Sequence, residues 1–267
     1  MRPVQAVIHC DALTHNLGVV RRCAPRAKAM AVIKANAYGH GLLRAARALA
    51  GADGFAVVEL DAAVRLREAG FRQPILLLEG FFGPGEAPLF REHDLSAVIH
   101  CREQLEMLSA FWSPLDLFLK LDTGMHRLGF QERQFSAALE RLSRSAAARS
   151  LTLMTHFARA DEPGGVTEQL ARFRSLTGDL DLPRSLANSA AILLHPETHA
   201  DWVRPGIMLY GASPSTDRPA SAFGLKPAMT LAAEVIAVQD LAPGDRVGYG
   251  ATFEARERIR VGVVACG

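Results

Sequence analysis

Short, almost unbroken apolar runs alternate along this chain with longer amphipathic segments, and that alternation restricts the folds open to it. The runs occupy residues 29–33, 55–58, 75–78, 97–99, 117–121 and 151–154. Between them, residues 42–50, 61–69, 102–109, 133–142 and 167–176 carry helical spacing. A strand that is apolar throughout must be covered on both faces, as parallel strands inside an α/β fold are. Repeated strand–helix units therefore predict a parallel sheet built from βαβ crossovers.

The ends of these strands are polar. Lys34 follows the first run, Glu59 the second, Glu79 the third and His100 the fourth; Lys120 and Asp122 close the fifth, and His156 follows the sixth. Asn188, Ser189 and Arg204 come later. In a closed parallel barrel all strand C-termini open on one face, where active sites sit. An open doubly wound sheet also binds ligands at its strand C-termini. Reactive groups on so many successive strands favour the (β/α)8 TIM-type barrel.

The 267 residues leave room for such a barrel, which takes about 250 residues, and little else. Beyond residue 228 the pattern changes. Residues 229–238 and 258–265 read as strands, with Pro243-Gly244-Asp245 and Gly248-Tyr249-Gly250 supplying turn chemistry between them. The expected division is a barrel over residues 1–228, its first strand free to pack with the β-rich part, and the start of an all-β domain over 229–267. That second part has too few strands for an independent core, so a truncated domain is expected.

A net charge of +2 without a dense basic block argues against nucleic acid as a partner. Four cysteines, none in a C-x-x-C pair, read as reduced thiols and provide no zinc spacing. No stretch approaches the ~20 apolar residues that cross a membrane, and no signal peptide is evident at the start. A soluble, cytoplasmic protein with no membrane partner and no metal is expected.

Lys34 carries the sharpest chemical reading. A lysine at the end of a buried strand and facing a cavity loses proton affinity through desolvation, and its neutral amine can form an imine. Taken alone, a lysine here reads first as a solvated residue at a strand terminus. Its neighbours decide. The segment Ala31-Val32-Ile33-Lys34-Ala35-Asn36-Ala37-Tyr38-Gly39-His40-Gly41 closely resembles the cofactor-lysine motif of alanine racemases. Lys120-Leu121-Asp122-Thr123-Gly124-Met125-His126-Arg127-Leu128-Gly129-Phe130 resembles that family's central motif. Met154-Thr155-His156-Phe157, Leu186-Ala187-Asn188-Ser189-Ala190 and Arg204-Pro205-Gly206-Ile207-Met208-Leu209-Tyr210-Gly211 match further blocks in order, and Val247-Gly248-Tyr249-Gly250-Ala251 is similar to the start of the family's β-domain.

The resemblance implies interconversion of L-alanine and D-alanine with pyridoxal 5'-phosphate (PLP), a cytoplasmic role in D-alanine and peptidoglycan-precursor supply, and a homodimer. By the same resemblance Lys34 forms the internal aldimine and is one of two catalytic bases. Tyr38, Ser189, Gly206 and Ile207 hold the phosphate, and Asn188 adjoins them. Arg204 faces the pyridine nitrogen and His156 packs on the ring. Arg127 lies near the substrate carboxylate, and Lys120 matches a lysine that is carbamylated in many members. The chemistry is coherent, because a phosphate dianion needs several N–H and O–H donors and glycine lets the backbone approach closely.

The family's second base is a tyrosine contributed by the partner subunit, just after the β-domain strand that residues 261–266 match; the chain is expected to stop short of it. Other readings are a PLP-binding barrel protein without racemase activity, a racemase of broader specificity, a barrel enzyme using Lys34 without PLP, and a non-catalytic fragment.

Overall fold

The apolar runs become the staves of a closed barrel. In the computed structural model, which describes residues 2–111 and 114–266, a first strand, Val4–Ile8 (β1), belongs to a separate sheet. The barrel comprises Lys28–Val32 (β2), Gly54–Val57 (β3), Ile75–Leu77 (β4), Ser96–Ile99 (β5), Leu115–Lys120 (β6), Ala148–Met154 (β7), Arg184–Ser185 (β8) and Trp202–Val203 (β9). Each strand is parallel to its neighbours, and β9 pairs with β2 to close the ring. This is the expected TIM-type barrel.

Side chains on a strand alternate between faces, and the burial pattern follows that rule. Met30, Val32, Ala56, Leu76, Val98, Phe118 and Met154, all at even positions, form one core cluster, the barrel interior. Their odd-numbered neighbours, such as Ala31, Phe55, Leu77, Ile99 and Leu119, join a second and larger cluster with the helices. The helices Leu42–Ala48, Leu60–Glu68, Glu132–Ser143 and Thr167–Thr177 fall within a residue or two of the expected segments. The segment expected as a helix over 102–109 is α-helical only over Arg102–Met107 and tightens to a 3-10 turn at Leu108–Ala110.

Two staves have no counterpart in the sequence reading. β8 and β9 are two residues each, too short to show any periodicity. The helix Cys10–Cys23 was also not anticipated. It is fastened by Asn16, a fully buried amide whose Nδ2 donates to Leu209 O (2.9 Å) and Lys226 O (2.8 Å) and whose Oδ1 accepts from Lys226 N (2.8 Å). Three bonds thus tie the beginning of the barrel unit to its end.

The chain separates into two compact units, Cys10–Ala228 and a second made of Met1–His9 with Met229–Gly267. In the second unit β1 pairs antiparallel with Met229–Ala233 (β10), Val4 opposite Ala233 and Ile8 opposite Met229. The expected single strand over 229–238 is in fact two, because Glu234 interrupts it: its N–H donates to Pro3 O and its carbonyl accepts from Ala265 N. Val235–Leu241 (β11) then pairs with a later strand, Ile259–Val264, through a bulge at Val235/Ala237. Between them Arg246–Val247 (β12) and Phe253–Glu254 (β13) form a short antiparallel pair around a 3-10 turn at Tyr249–Ala251, and Ile259–Val264 is β14. No helix among the described residues is long and apolar enough to cross a membrane.

Replacing Asn16 by leucine strands the Leu209 and Lys226 backbone groups in an apolar interior. We expect a loss of about 2–4 kcal/mol from urea unfolding. A loss below about 1 kcal/mol would show that the amide is not the fastening.

Candidate active site

The alternation that fills the barrel interior also decides what stands at its mouth. Continuing each interior file by two residues leads from Val32 to Lys34, from Ala56 to Val58, from Leu76 to Leu78, from Val98 to His100, from Phe118 to Lys120 and from Met154 to His156. All twelve positions are accounted for in the barrel interior or in one cavity of about 700 Å3 at the strand C-termini. That volume suits a small organic ligand. Lys34, Tyr38, Lys120, Arg127, His156, Asn188, Ser189, Arg204, Gly206 and Ile207 all line it, so the structure brings every candidate residue together. Glu59 and Asp122, the other polar strand-end residues, do not line it. Glu79, Phe82, Asp161 and Ser213 do, although they had no assigned role. Glu79 directly follows the third apolar run and Asp161 lies four residues beyond the 154–157 block, but neither stands out by periodicity.

Four basic side chains, Lys34, Lys120, Arg127 and Arg204, share the lining with two carboxylates, Glu79 and Asp161. The cavity is therefore built for an anion. Arg204 is buried and held by the barrel itself: Nη1 donates to Ser185 O and Ser185 Oγ (both 2.7 Å), and Nη2 to Thr155 O (2.7 Å) and Leu186 O (3.2 Å). Burial pushes its pKa down to about 9, which leaves it charged at neutral pH. Nη2 also donates to His156 Nδ1 at 3.3 Å. Nδ1 therefore carries no proton and the neutral ring keeps Nε2–H. Burial, together with the charges of Arg204 and Lys120, holds the His156 pKa well below the usual imidazole value.

Lys120 is buried without a hydrogen bond to its ammonium among the described residues. Burial, then Arg204 and Arg127, lower its pKa to about 8. Burial, first of all, also lowers the pKa of His100, whose Nε2 donates to Glu79 O at 3.1 Å.

A second grouping consists of donors. Ser189 Oγ accepts from Gly206 N (2.8 Å), which leaves the hydroxyl proton of Ser189 for another acceptor. A Cβ on Gly206 would stand 2.9 Å from the Tyr38 hydroxyl, so glycine is what allows these groups to converge. The Tyr38 hydroxyl has no hydrogen-bond partner among the described residues, and burial raises its pKa. Asn188 caps the helix Ser189–Leu194, its Oδ1 accepting from Ala191 N at 3.1 Å, while its Nδ2 donates to Phe157 O.

Arg127 comes from a loop and depends on Asp122. Asp122 Oδ1 accepts from the backbone N–H groups of Gly124, Met125 and His126 at 3.0–3.1 Å, and Oδ2 pairs with His126 Nδ1. That carboxylate shapes the loop rather than the cavity. Lys34 opens a turn in which Ala35, Asn36, Ala37 and Tyr38 all have φ between 51° and 56°. Such a left-handed turn costs roughly 1–2 kcal/mol per non-glycine residue. Its ends lie about one turn apart on the same side, and both Lys34 and Tyr38 reach the cavity.

Residues 8–214 match the family model described as alanine racemase, N-terminal domain, and residues 228–267 the one described as alanine racemase, C-terminal domain. The alanine racemase of Nitrosospira multiformis is 58% identical over the full chain, which spans 76% of that relative. That of Nitrosomonas eutropha is 54% identical, again over the full chain and 76% of the relative. Among solved structures, the biosynthetic alanine racemase of Pseudomonas aeruginosa superposes with a TM-score of 0.96 at 46% identity, over 100% of this chain and 76% of that one. The enzyme from Bacillus anthracis with bound L-Ala-P gives 0.84 at 30% identity, over 99% and 72%.

The depressed Lys120 pKa has a consequence for stability. Between its folded value, about 8, and its ordinary value of 10.5, the unfolded chain binds more protons, so stability rises with pH across that window and is lost as pH falls back through it. Below the window the protonated ammonium in the cavity is a cost. In Lys120→Met the Tm, measured without added ligand, should be higher at pH 7 than in the parent, and the gap should close by pH 10. Parallel Tm–pH curves would refute a destabilising Lys120 charge.

Proposed function

The chain belongs to the alanine racemase family, and from that membership we propose that it interconverts L-alanine and D-alanine using pyridoxal 5'-phosphate in the barrel cavity. The observation that carries this reading is the convergence of the Tyr38 hydroxyl and the Ser189 hydroxyl, the latter held by Gly206 N–H, in the same cavity as Lys34 and Arg204. A phosphate needs several donors at one point, and a site closed to Cβ atoms supplies them. Ile207 continues the Gly206 backbone into the same wall.

When bound, PLP supplies an aldehyde that condenses with amines and a ring that spreads negative charge from the substrate α-carbon. The protein's own groups do the rest. Lys34 Nζ holds the cofactor and moves the α-proton on one face. Arg204 is a donor-only, charged group, so placed against the ring nitrogen it would leave that nitrogen unprotonated and weaken the ring as a charge sink. A proton removed from the α-carbon is then returned quickly, which suits racemisation and suppresses transamination. His156, neutral and bonded to Arg204, packs the ring without competing for a proton. Arg127 takes the substrate carboxylate.

Lys120 fits carbamylation. Its pKa near 8 leaves a fraction of neutral amine at physiological pH, and that amine can add CO2 and release a proton. The carbamate so formed would be an anion beside Arg127 and Arg204 and would orient Arg127 by charge-assisted bonding.

Inversion also requires a proton carrier on the opposite face. Of the three tyrosines, Tyr38 lines the cavity but stands with the phosphate donors, Tyr210 is buried with its hydroxyl donating to Val32 O, and Tyr249 is fully exposed in the β-unit. By the family resemblance this carrier is a tyrosine contributed by a partner subunit, and a homodimer is the working assembly in this reading. Cytoplasmic supply of D-alanine for peptidoglycan is the corresponding role.

Incubation with PLP and L-alanine in D2O, followed by NMR, tests the proposal. We expect replacement of the α-hydrogen and accumulation of D-alanine, with both lowered by roughly 10^3-fold or more in Lys34→Ala. Protein carrying PLP on Lys34 but producing no exchange would refute it, and exchange with retention would show that only the Lys34 face is served. Intact mass measured from bicarbonate buffer should show one added CO2, absent from Lys120→Met.

A further inference from the structure

We infer that His40 is a positioning residue for PLP attachment: its Nδ1–H locks the left-handed turn that sets Lys34 and Tyr38 into the cavity. The inference rests on the assignment of Lys34 and Tyr38 to the cofactor.

His40 Nδ1 lies 3.1 Å from Ala37 O and 3.0 Å from Tyr38 O. Both partners are carbonyls and can only accept, so Nδ1 carries the proton and bridges the last two peptides of the turn. Nε2 is then an acceptor, and among the described residues it is the one side-chain nitrogen or oxygen fully closed to solvent that has no hydrogen bond. A buried unpaired acceptor at this point calls for an explanation. An aliphatic side chain would fill the same space without it, but would provide no donor to the turn. The arrangement keeps the donor and tolerates the orphan.

The turn needs such a donor. Four consecutive residues sit at positive φ, and only Asn36 among them is of a type that visits that region readily. Asn36 has its own anchor, Oδ1 accepting from Leu42 N at 2.8 Å, which fixes the exit of the turn to the next helix. Ala35 and Ala37 have no side-chain means of holding the conformation. The His40 ring also rests on Tyr210, with centroids 4.7 Å apart, and Tyr210 stacks on Tyr38 at 4.6 Å. His40 thus fixes the Tyr38 peptide by hydrogen bonding and the Tyr38 ring through Tyr210.

Two variants separate positioning from packing. His40→Leu keeps an apolar body and removes the donor. His40→Asn places an amide N–H at the position of Nδ1, the same number of bonds from Cα. For each full-length protein, PLP Kd is measured by titration, the rate of covalent attachment to Lys34 by borohydride trapping and mass spectrometry, and Tm by calorimetry. In His40→Leu we expect the PLP Kd to rise about tenfold, the value of one lost hydrogen bond of ordinary strength, and attachment to slow by a similar factor. In His40→Asn both should return to within about threefold of the parent. A His40→Leu protein with lower Tm but unchanged Kd and attachment rate would reduce His40 to packing. His40→Asn as impaired as His40→Leu would overturn the donor role. If His40→Leu does not fold, His40→Asn decides: near-parental Kd and rate support the clamp, and loss of both overturns it. A parent protein that does not attach PLP at Lys34 would overturn the cofactor assignment itself, a result distinct from an unaffected His40→Leu.

Discussion

The two-residue alternation of side chains on parallel strands, once the sheet is closed, governs almost everything else in the barrel unit. Closure leaves each strand only two destinations for its side chains, the axis or the helices. The axis is filled by Met30, Val32, Ala56, Leu76, Val98, Phe118 and Met154. Where that filling ends, the same files continue as Lys34, Val58, Leu78, His100, Lys120 and His156, which line a cavity instead of a core. The strand-end groups among these are therefore not gathered by long loops. They occupy the next step of a packing pattern that the core already requires, which is why they share one cavity although they come from different strands.

Closure also concentrates charge. Side chains that converge on an axis approach one another, and here four of the convergent groups are cationic. The molecule handles them differently. Arg204 is supplied with carbonyl and hydroxyl oxygens of neighbouring staves, so its charge is solvated by the barrel itself. Lys120 receives no such bonds; burial lowers the pKa of both, but only Lys120, at about 8, is brought close to neutral pH. A fixed charge and a labile one thus stand side by side. Only the labile one can lose its proton and be modified, and only the fixed one can act as a permanent donor. Neutral His156, bonded to Arg204 through Nδ1, is a consequence of the first.

Most of the barrel could be read from residue order because six of its staves are apolar over several positions. β8 and β9 could not, since two residues each carry no period, and their existence follows only from closure. The break at Glu234 was equally hidden: both flanking segments are good strands, and the interruption is a matter of which carbonyls their ends meet. The candidate residues were found through spaced motifs, yet the parity argument recovers several without them. Glu59 shows its limit in the other direction, since it follows a strand but sits out of phase with Ala56 and Val58 and so does not reach the cavity. Asp122 is in phase with Lys120, but the chain has already left the barrel there, and its carboxylate is taken up by three N–H groups of its own loop. What parity cannot supply is backbone conformation off the strand ends.

That missing information is concentrated immediately after Lys34. A right-handed turn would be the default for alanine, and nothing in the composition of Ala35-Asn36-Ala37-Tyr38 announces the opposite hand. The hand is fixed from outside the four residues, by glycines at positions 39 and 41 with φ of 83° and 92°, by the Asn36 bond to Leu42, and by the ring of His40. Strain is sustained locally only where the surroundings over-determine the conformation. Here those surroundings include Tyr210, whose own hydroxyl is tied to β2 at Val32. The turn that presents Lys34 is thereby referred back to the strand that delivers it, so the position of the reactive amine is set at both ends by the same stave of the barrel.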